Sequence, residues 1–353
     1  MKIIYIGPIA KKNKPAAGGF EAANRKNIQA LEDRDISVNE ICYPEVNHKF
    51  DPFGKFIYIK TFIYPILLVP FIFRRKEVYL HITPLLRFLY LPTFITLFTA
   101  YLLGIKSILD IRAGSFIRYY NKGSKIRRFF IRQCVKYASG VCVEGTPYVD
   151  FIKNELNCFY KKIHYFPNLC DNGQFLTNVN KKDIHKICYF GRITKNKGVG
   201  IMVETMRILG DKFQLYLYGP VDNTIDYNIF NHSNIHYEGS KNIVELKKAI
   251  SDKSFFIFPS IHEGEGQSNS LIEAMSNGLI PIVSNNGFNK DVIADCGYLL
   301  PINANADDYA NAIKKFIQNK DLVAEQIKCV NQIIRHHNIN KEIDKLLLFY
   351  KSL

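Results

Sequence analysis

The chain has 353 residues, of which 47% are hydrophobic and 22% charged; this excludes intrinsic disorder and provides for two ordinary cores rather than one. Its 47 Lys and Arg against 32 Asp and Glu leave a net charge of +15, a field that favours phosphate-bearing partners without saying whether these are nucleic acid, anionic lipid or nucleotide. The eight cysteines, at 42, 134, 142, 158, 170, 188, 296 and 329, show no CxxC and no short regular spacing, which argues against a disulfide framework or zinc motif and for reduced, mostly core thiols in a cytoplasmic protein.

The N-terminus, MKIIYIGPIA, lacks the apolar h-region of a signal peptide, and strand-like residues begin at position 2. Short β-rich runs then alternate with helix-like segments: KIIYIG (2–7), ISVNEICY (36–43), VYLHI (78–82), SILDI (107–111) and GVCVE (140–144). Such alternation implies right-handed crossovers and a parallel sheet. Asp33-Arg34-Asp35, between the first helical segment and the next strand, reads as turn chemistry and not as a diphosphate-metal site.

FLYLPTFITLFTAYLLGI, Phe88 to Ile105, runs eighteen residues without a charge. Pro92 suits a first turn and Gly104 a helix end, which leaves about twelve helical residues, roughly 18 Å, against a hydrocarbon core of roughly 30 Å. A buried or membrane-touching helix is expected rather than a spanning one. Phe56 to Lys76 mixes aromatic and aliphatic residues with terminal cations, and Lys122 to Tyr137 has the pattern of a basic amphipathic helix. These are either core helices with a solvated face or a surface for an anionic membrane.

A lapse in periodicity over YFPNLCDNGQFLTNVNKKD, Tyr165 to Asp183, marks a hinge. Beyond it lie KICYFG (186–191), FQLYLYG (213–219), NIHYEG (234–239), FFIFPS (255–260) and LIPIVS (279–284), most ending in Gly or Ser where loops at carboxyl strand ends form binding crevices. After Leu300 the chain reads as helices, with Asp307 and Asp308 in an N-terminal cap region. The expected fold class is α/β, with two Rossmann-like doubly wound domains facing across a cleft. The division expected is 1–168, 169–335, and a C-terminal helix, 336–353, that packs back on the first domain.

The stretch HEGEGQSNSLIEAMSNGLIPIVS, His262 to Ser284, places Glu265 in a glycine-containing loop after a strand and Glu273 on the helix that follows. Ser270 and Glu273 have the S-x-x-E spacing of a capping box, which would account for the second acid without a ligand. Alternatively, Gly266 permits close backbone approach, and the amides at a helix start, flanked by two carboxylates, suit an anion or a row of sugar hydroxyls.

Glu265, Gly266, Glu273, Ala274, Met275, Gly278, Pro281 and Val283 resemble the E-x7-E motif of the GT-B-fold retaining glycosyltransferases of the family 4 type, the group 1 glycosyl transferases. About seventy residues earlier YFGRITKNKGV, Tyr189 to Val199, resembles that family's GR-x4-KG stretch; read bare, it would be a solvated basic loop. FPNLCD, Phe166 to Asp171, and AAGGFEAANR, Ala16 to Arg25, are similar to its hinge and its N-terminal glycine loop, although a plain strand-to-helix turn also fits the latter. Gln267 and Ser268 stand where the family has an aromatic residue and a glycine, and Asp291 where it often has Glu.

The resemblance implies a nucleotide sugar as donor substrate, UDP-linked by preference, with no cofactor. Arg192 and Lys197 would hold the diphosphate and stabilise charge on the leaving group. Glu273 would bind the ribose, and Glu265 with Gly266, Gln267, Ser268 and Asn269 would orient the sugar. Gly18 and Gly19 would approach the donor from the other domain, and Asp110 and Arg112 are acceptor-side candidates unless they pair with each other. The family's front-face attack needs no side-chain base and no metal, and no HExxH or His/Cys cluster appears in the sequence. The acceptor implied is a glycan or a lipid-linked precursor of bacterial surface polysaccharide or lipopolysaccharide, reached at the inner face of the cytoplasmic membrane. The rival readings are a GT-B-fold nucleotide-sugar epimerase and, from charge alone, a nucleic-acid-binding protein, which no helix-turn-helix, RRM-like or zinc-finger pattern supports.

Overall fold

The computed structural model describes residues 1–12, 18–43, 61–171, 182–319 and 321–353. Ala16, Ala17, the first part of the Phe56 to Lys76 segment and the centre of the hinge segment, 172–181, lie outside them. The chain divides into two units, Met1–Leu169 with Ile339–Leu353, and Cys170–Asn338. It therefore passes between them twice.

The first unit holds β1 (Lys2–Gly7), β2 (Ser37–Cys42), β3 (Val78–Ile82), β4 (Lys106–Ile111), β5 (Gly140–Val143) and β6 (Lys162–Tyr165) in the order β2-β1-β3-β4-β5-β6. All neighbours are parallel. The order reverses between β1 and β3, so the loops after these two strands leave in opposite directions, the arrangement that forms ligand crevices in doubly wound sheets. The helix Leu91–Leu102 begins with Pro92 in its first turn and stops before Gly104, at φ 69°. It buries Leu97 and Ala100 and packs on the helix Lys125–Tyr137, whose own inner face carries Ile131, Cys134 and Val135. Among the described residues no helix is long and apolar enough to cross a membrane. Asp33 caps the helix Gly19–Glu32 and Asp35 takes φ 59°, the turn geometry expected of that triplet.

The second unit holds β7 (Asp183–Phe190), β8 (Gln214–Tyr218), β9 (Ile235–Tyr237), β10 (Lys253–Phe258), β11 (Ile280–Ser284) and β12 (Tyr298–Leu300), ordered β12-β11-β10-β7-β8-β9 and parallel throughout. Both sheets thus match the expected α/β class. The four central strands are almost entirely buried at their carboxyl halves, which explains their continuous apolar runs: a parallel sheet covered on both faces has no polar face to alternate. β6 and β12, edge strands of four and three residues for the most part not buried, escaped the sequence analysis. Asn305 and Asp308 exchange backbone-to-side-chain hydrogen bonds of 2.9 and 3.1 Å, so Asp308 completes a capping box at the helix Ala306–Asn319.

The helix Ile339–Ser352 closes the core of the first unit with Ile343, Leu346 and Tyr350. Here His164 is stacked 5.0 Å from the Phe349 ring and 6.1 Å from Phe166, and its Nε2 is buried without a hydrogen-bond partner among the described residues. Burial, with the Lys345 charge nearby, lowers its pKa from 6.5 to about 4. The folded state therefore excludes a proton that the unfolded chain accepts below pH 6.5. The stabilisation from the neutral ring is complete above that pH and is lost as pH falls toward 4, to a limit of about 3 kcal/mol. Thermal melts should accordingly show a Tm that declines from pH 7 to pH 4.5, and His164→Phe, which keeps the stack but cannot titrate, should flatten a measurable part of that decline.

Candidate functional site

The strand order of the second sheet reverses between β7 and β10, so the loops after these two strands, residues 191–198 and 259–268, lie side by side at its carboxyl edge. Ile261 N–H donates to the Asn196 carbonyl at 2.9 Å and joins them. Gly198, at φ 81°, lies so close to Pro259 that a Cβ there would stand 2.3 Å from the Pro259 carbonyl oxygen. Glycine is required at this position both by the left-handed backbone and by the neighbouring strand end.

The Thr194 hydroxyl accepts from Lys197 N–H at 3.2 Å and forms the single turn Lys195–Lys197. That turn fixes the stem of Lys197. Its Nζ donates to Glu265 Oε1 at 2.8 Å and Oε2 at 2.6 Å and lies 5.2 Å from the centre of the Phe258 ring. The Ser260 hydroxyl donates to Oε2 at 2.6 Å. Glu265 is 7% exposed, and a carboxylate so far from water is stable only with its charge paired and its lone pairs satisfied. Gly287, at φ 56°, lets the backbone pass this residue, since a Cβ there would be 2.5 Å from the Glu265 carbonyl oxygen.

Arg192 is exposed in the same loop, its carbonyl accepting from the Tyr189 hydroxyl at 2.9 Å. The Asp222 carboxyl is held below the usual range by hydrogen bonds from Thr224, with the charges of Arg192 and Lys195 adding to the effect. Gln267 and Ser268 are buried, and Gly266 and Asn269 are half-buried. Ser268, not Ser270, is the N-cap of the helix Asn269–Ser276, accepting from Leu271 N–H at 3.3 Å. Glu273 therefore falls outside the capping-box position, which Leu271 occupies. The capping reading of this acid is corrected by that register: Ser270 Oγ instead contacts Ser268 Oγ at 2.9 Å, and Glu273 sits half-buried in the second turn.

The remaining candidates belong to the first unit. Gly18 has extended backbone and caps the helix that begins at Gly19; no described atom lies within 4 Å of a Cβ built on Gly18, so packing does not demand glycine there. Of the two readings open for Asp110 and Arg112, the structure shows the mutual pair. Arg112 Nε donates to Asp110 Oδ2 at 2.7 Å, and the guanidinium also reaches Asn168 Oδ1 at 3.0 Å and lies over the Phe166 ring at 4.6 Å. His81 Nε2 meets the same Asp110 oxygen at 3.1 Å, its Nδ1 meets the Tyr350 hydroxyl at 2.5 Å, and its ring stacks on Tyr5. Burial would raise the Asp110 pKa, but Arg112 and His81 overcome it and hold the carboxyl below its ordinary value; burial lowers that of His81.

The sequence reading missed Thr194, Ser260 and Gly287, which support Lys197 and Glu265. Thr194 stood in view as a Thr three residues before Lys197, the spacing of a hydroxyl-capped turn. Ser260 and Gly287 are far from their partners along the chain or lie in a loop without periodicity, and nothing local marks them.

Residues 174–332 match the family model described as glycosyl transferases group 1. The chain has the GT-B fold, and this segment is similar to the glycosyl transferases group 1 family. Over 213 residues the chain is 25% identical to the Escherichia coli UDP-Gal:alpha-D-GlcNAc-diphosphoundecaprenol alpha-1,3-galactosyltransferase, an alignment spanning 54% of each, about half the length of that relative. Among solved structures it is similar to Anabaena Alr3699/HepE in complex with UDP, at 13% identity, TM-score 0.70 and complete coverage of both chains. It is similar also to the lipopolysaccharide outer core galactosyltransferase WaaB in its apo form, at 14% identity, TM-score 0.68 and complete coverage of both. At these identities the two structures speak to fold.

Both loops that meet at the β7/β10 reversal lie inside the segment that matches the group 1 model, as do all the donor-side candidates except Gly18 and Gly19. Removing one partner of the Lys197–Glu265 pair leaves a charge out of water, so Lys197→Ala should cost about 2–4 kcal/mol, with part of it recovered when Glu265→Gln is added. Chemical denaturation of the two single variants and the double variant measures this coupling.

Proposed function

We propose that the protein is a retaining glycosyltransferase that moves a sugar from a nucleotide-sugar donor, UDP-linked by preference, to a glycan or lipid-linked acceptor of surface polysaccharide or lipopolysaccharide synthesis. The observation that carries this reading is the ammonium of Lys197, held by the buried Glu265 at the reversal point of the segment that matches the group 1 model. Two of its three N–H donors go to the carboxylate, and the third suits a phosphate oxygen. Breakage of the glycosidic bond puts negative charge on the departing nucleoside diphosphate. A cation held in place beforehand stabilises that charge without reorganising.

Arg192 adds a second cation at the loop's exposed edge. Glu273 serves the ribose hydroxyls, and Glu265 with the backbone of 266–269 orients the sugar. In front-face attack the departing phosphate takes the acceptor hydroxyl's proton. Positioning and charge then supply the rate, with neither a side-chain base nor a metal in the reaction. The relative named for a UDP-Gal donor and the neighbour solved with UDP support the choice of nucleotide.

Arg192→Ala and Glu273→Ala should each lower transfer by at least about 100-fold, because each removes a charged hydrogen-bonding contact to the donor. Neither disturbs the buried pair, so both variants should melt like the parent. Hydrolysis-corrected transfer assays with UDP-, GDP- and ADP-sugars measure the loss and identify the base; full activity in both variants contradicts the assignment.

The acceptor reading rests on the first unit's surface. Ile63, Ile66, Leu67, Val69 and Phe73 are exposed beside Arg74, Arg75 and Lys76, with Phe73 97% exposed, and Ile126 and Phe129 stand out from the basic helix Lys125–Tyr137. Apolar side chains ringed by cations suit an anionic interface. The protein should float with anionic liposomes at low salt, and Ile66→Glu with Phe73→Glu should leave it at the bottom of the gradient; a parent protein that stays at the bottom refutes the association.

A further inference from the structure

The sequence shows no metal motif, yet the fold gathers three ligand-bearing side chains in the second unit. Glu325 and Cys329 are four residues apart on the helix Leu322–His336 and so share one face of it. Cys296 comes from the turn that precedes β12. One ligand atom from each of Cys296, Glu325 and Cys329 lies within 4.8 Å of the other two. Tetrahedral zinc bonds of roughly 2.0–2.3 Å place ligand atoms roughly 3.4–3.8 Å apart, so small side-chain rotations close this triangle on an ion.

We propose that Cys296, Glu325 and Cys329 form a binding site for a thiophilic divalent cation of the zinc class, structural in role and distinct from the loops carrying Lys197 and Glu265. Both thiols are buried, at 2% and 0% exposure. The loop that bears Cys296 is rigidly shaped. Cys296 N–H donates to the Ile293 carbonyl at 2.8 Å. Gly297, at φ 63°, rests so closely on β11 that a Cβ there would be 2.1 Å from the Pro281 carbonyl oxygen.

Gly297 N–H donates to Glu325 Oε1 at 2.7 Å; such a backbone donor behind a ligating carboxylate orients it for metal. The neighbouring cation, Lys328, is 4.0 Å from Glu325 Oε2 and is drawn away to Asp295 at 3.0 Å. A carboxylate with a side-chain exposure of 11% next to two sulfurs is compensated more closely by an ion between them than by that lysine. Two thiolates and one carboxylate select a borderline-soft ion over magnesium or calcium, and three protein ligands leave a fourth position for water. On binding, the thiols release their protons to solvent. The ion would tie the helix Leu322–His336, which packs on the helix Asn269–Ser276, to the turn before β12.

The test is a titration of the reduced, chelator-stripped full-length protein with Co2+. It should develop thiolate-to-cobalt charge-transfer absorption that saturates at one ion per chain and bleaches when Zn2+ is added. Cys296→Ser and Cys329→Ser should each weaken binding by at least about tenfold and Glu325→Gln by about tenfold, whereas Cys42→Ser, at an exposed thiol of the other unit, should leave it unchanged. Absence of the absorption in the reduced parent protein overturns the proposal whether or not the variants fold. So does undiminished binding in Cys329→Ser, or a parent protein whose mass is lower by two hydrogens and which gives no cobalt band after reduction, the signature of a disulfide instead.

Discussion

The burial of Glu265 is the constraint around which the candidate site is arranged. A carboxylate removed from water must have a cation and hydrogen-bond donors on it, and Lys197 and Ser260 supply them from the loop after β7 and the end of β10. That requirement accounts for Thr194, which shapes the turn under Lys197, and for the glycines at 198 and 287, which let backbones approach where a side chain would collide. Glu265 thus has two consequences. It anchors two loops to one another, and it holds an ammonium in one place before any ligand arrives. The second is the property that electrostatic stabilisation of a leaving diphosphate needs.

The pair can form because of strand order. β7 and β10 are hydrogen-bonded neighbours although two strands and two α-helices separate them in sequence, and the reversal of order between them sets the following loops around one crevice. The helix Asn269–Ser276, capped by Ser268, then begins directly after the loop that follows β10. The first unit uses its own strand ends differently. There His81, Asp110, Arg112 and Tyr350 form a buried polar chain that binds the last helix to β3 and β4. The link from Asp110 through His81 to Tyr350 explains how residues 339–353, which follow the second unit in sequence, are specified to complete the core of the first, while Asp110 Oδ1 stays buried without a hydrogen-bond partner among the described residues.

Much of this was legible in advance, for local reasons. Ten of the twelve described strands fall in apolar runs closed by Gly, Ser or polar residues, and both sheets came from the alternation of such runs with helical segments. Pro92 and Gly104 delimited a helix that the structure places at Leu91–Leu102, because the missing N–H of proline and the left-handed freedom of glycine act on their immediate neighbours. The loop and helix bearing Glu265 and Glu273 were likewise recognisable from spacing. The register of the cap was not: Ser268 and Ser270 are chemically equivalent candidates two residues apart, and only the direction in which the chain leaves β10 selects the first.

What the sequence by itself determined is therefore whatever is written in neighbours along the chain: the α/β class, the two units, the loop that carries an acid and the helix that carries another, and the motif similarity that the group 1 match extends. Tertiary structure alone decided which charges meet. Lys197 and Glu265 are 68 residues apart, Asp110 and His81 are 29 apart, and Cys296 finds Cys329 through a helix packed from further along the chain. The physical reason is that ion pairs and ligand clusters are set by distances in space of a few ångströms, and in a parallel sheet those distances depend on the order of strands, which no stretch of residues contains.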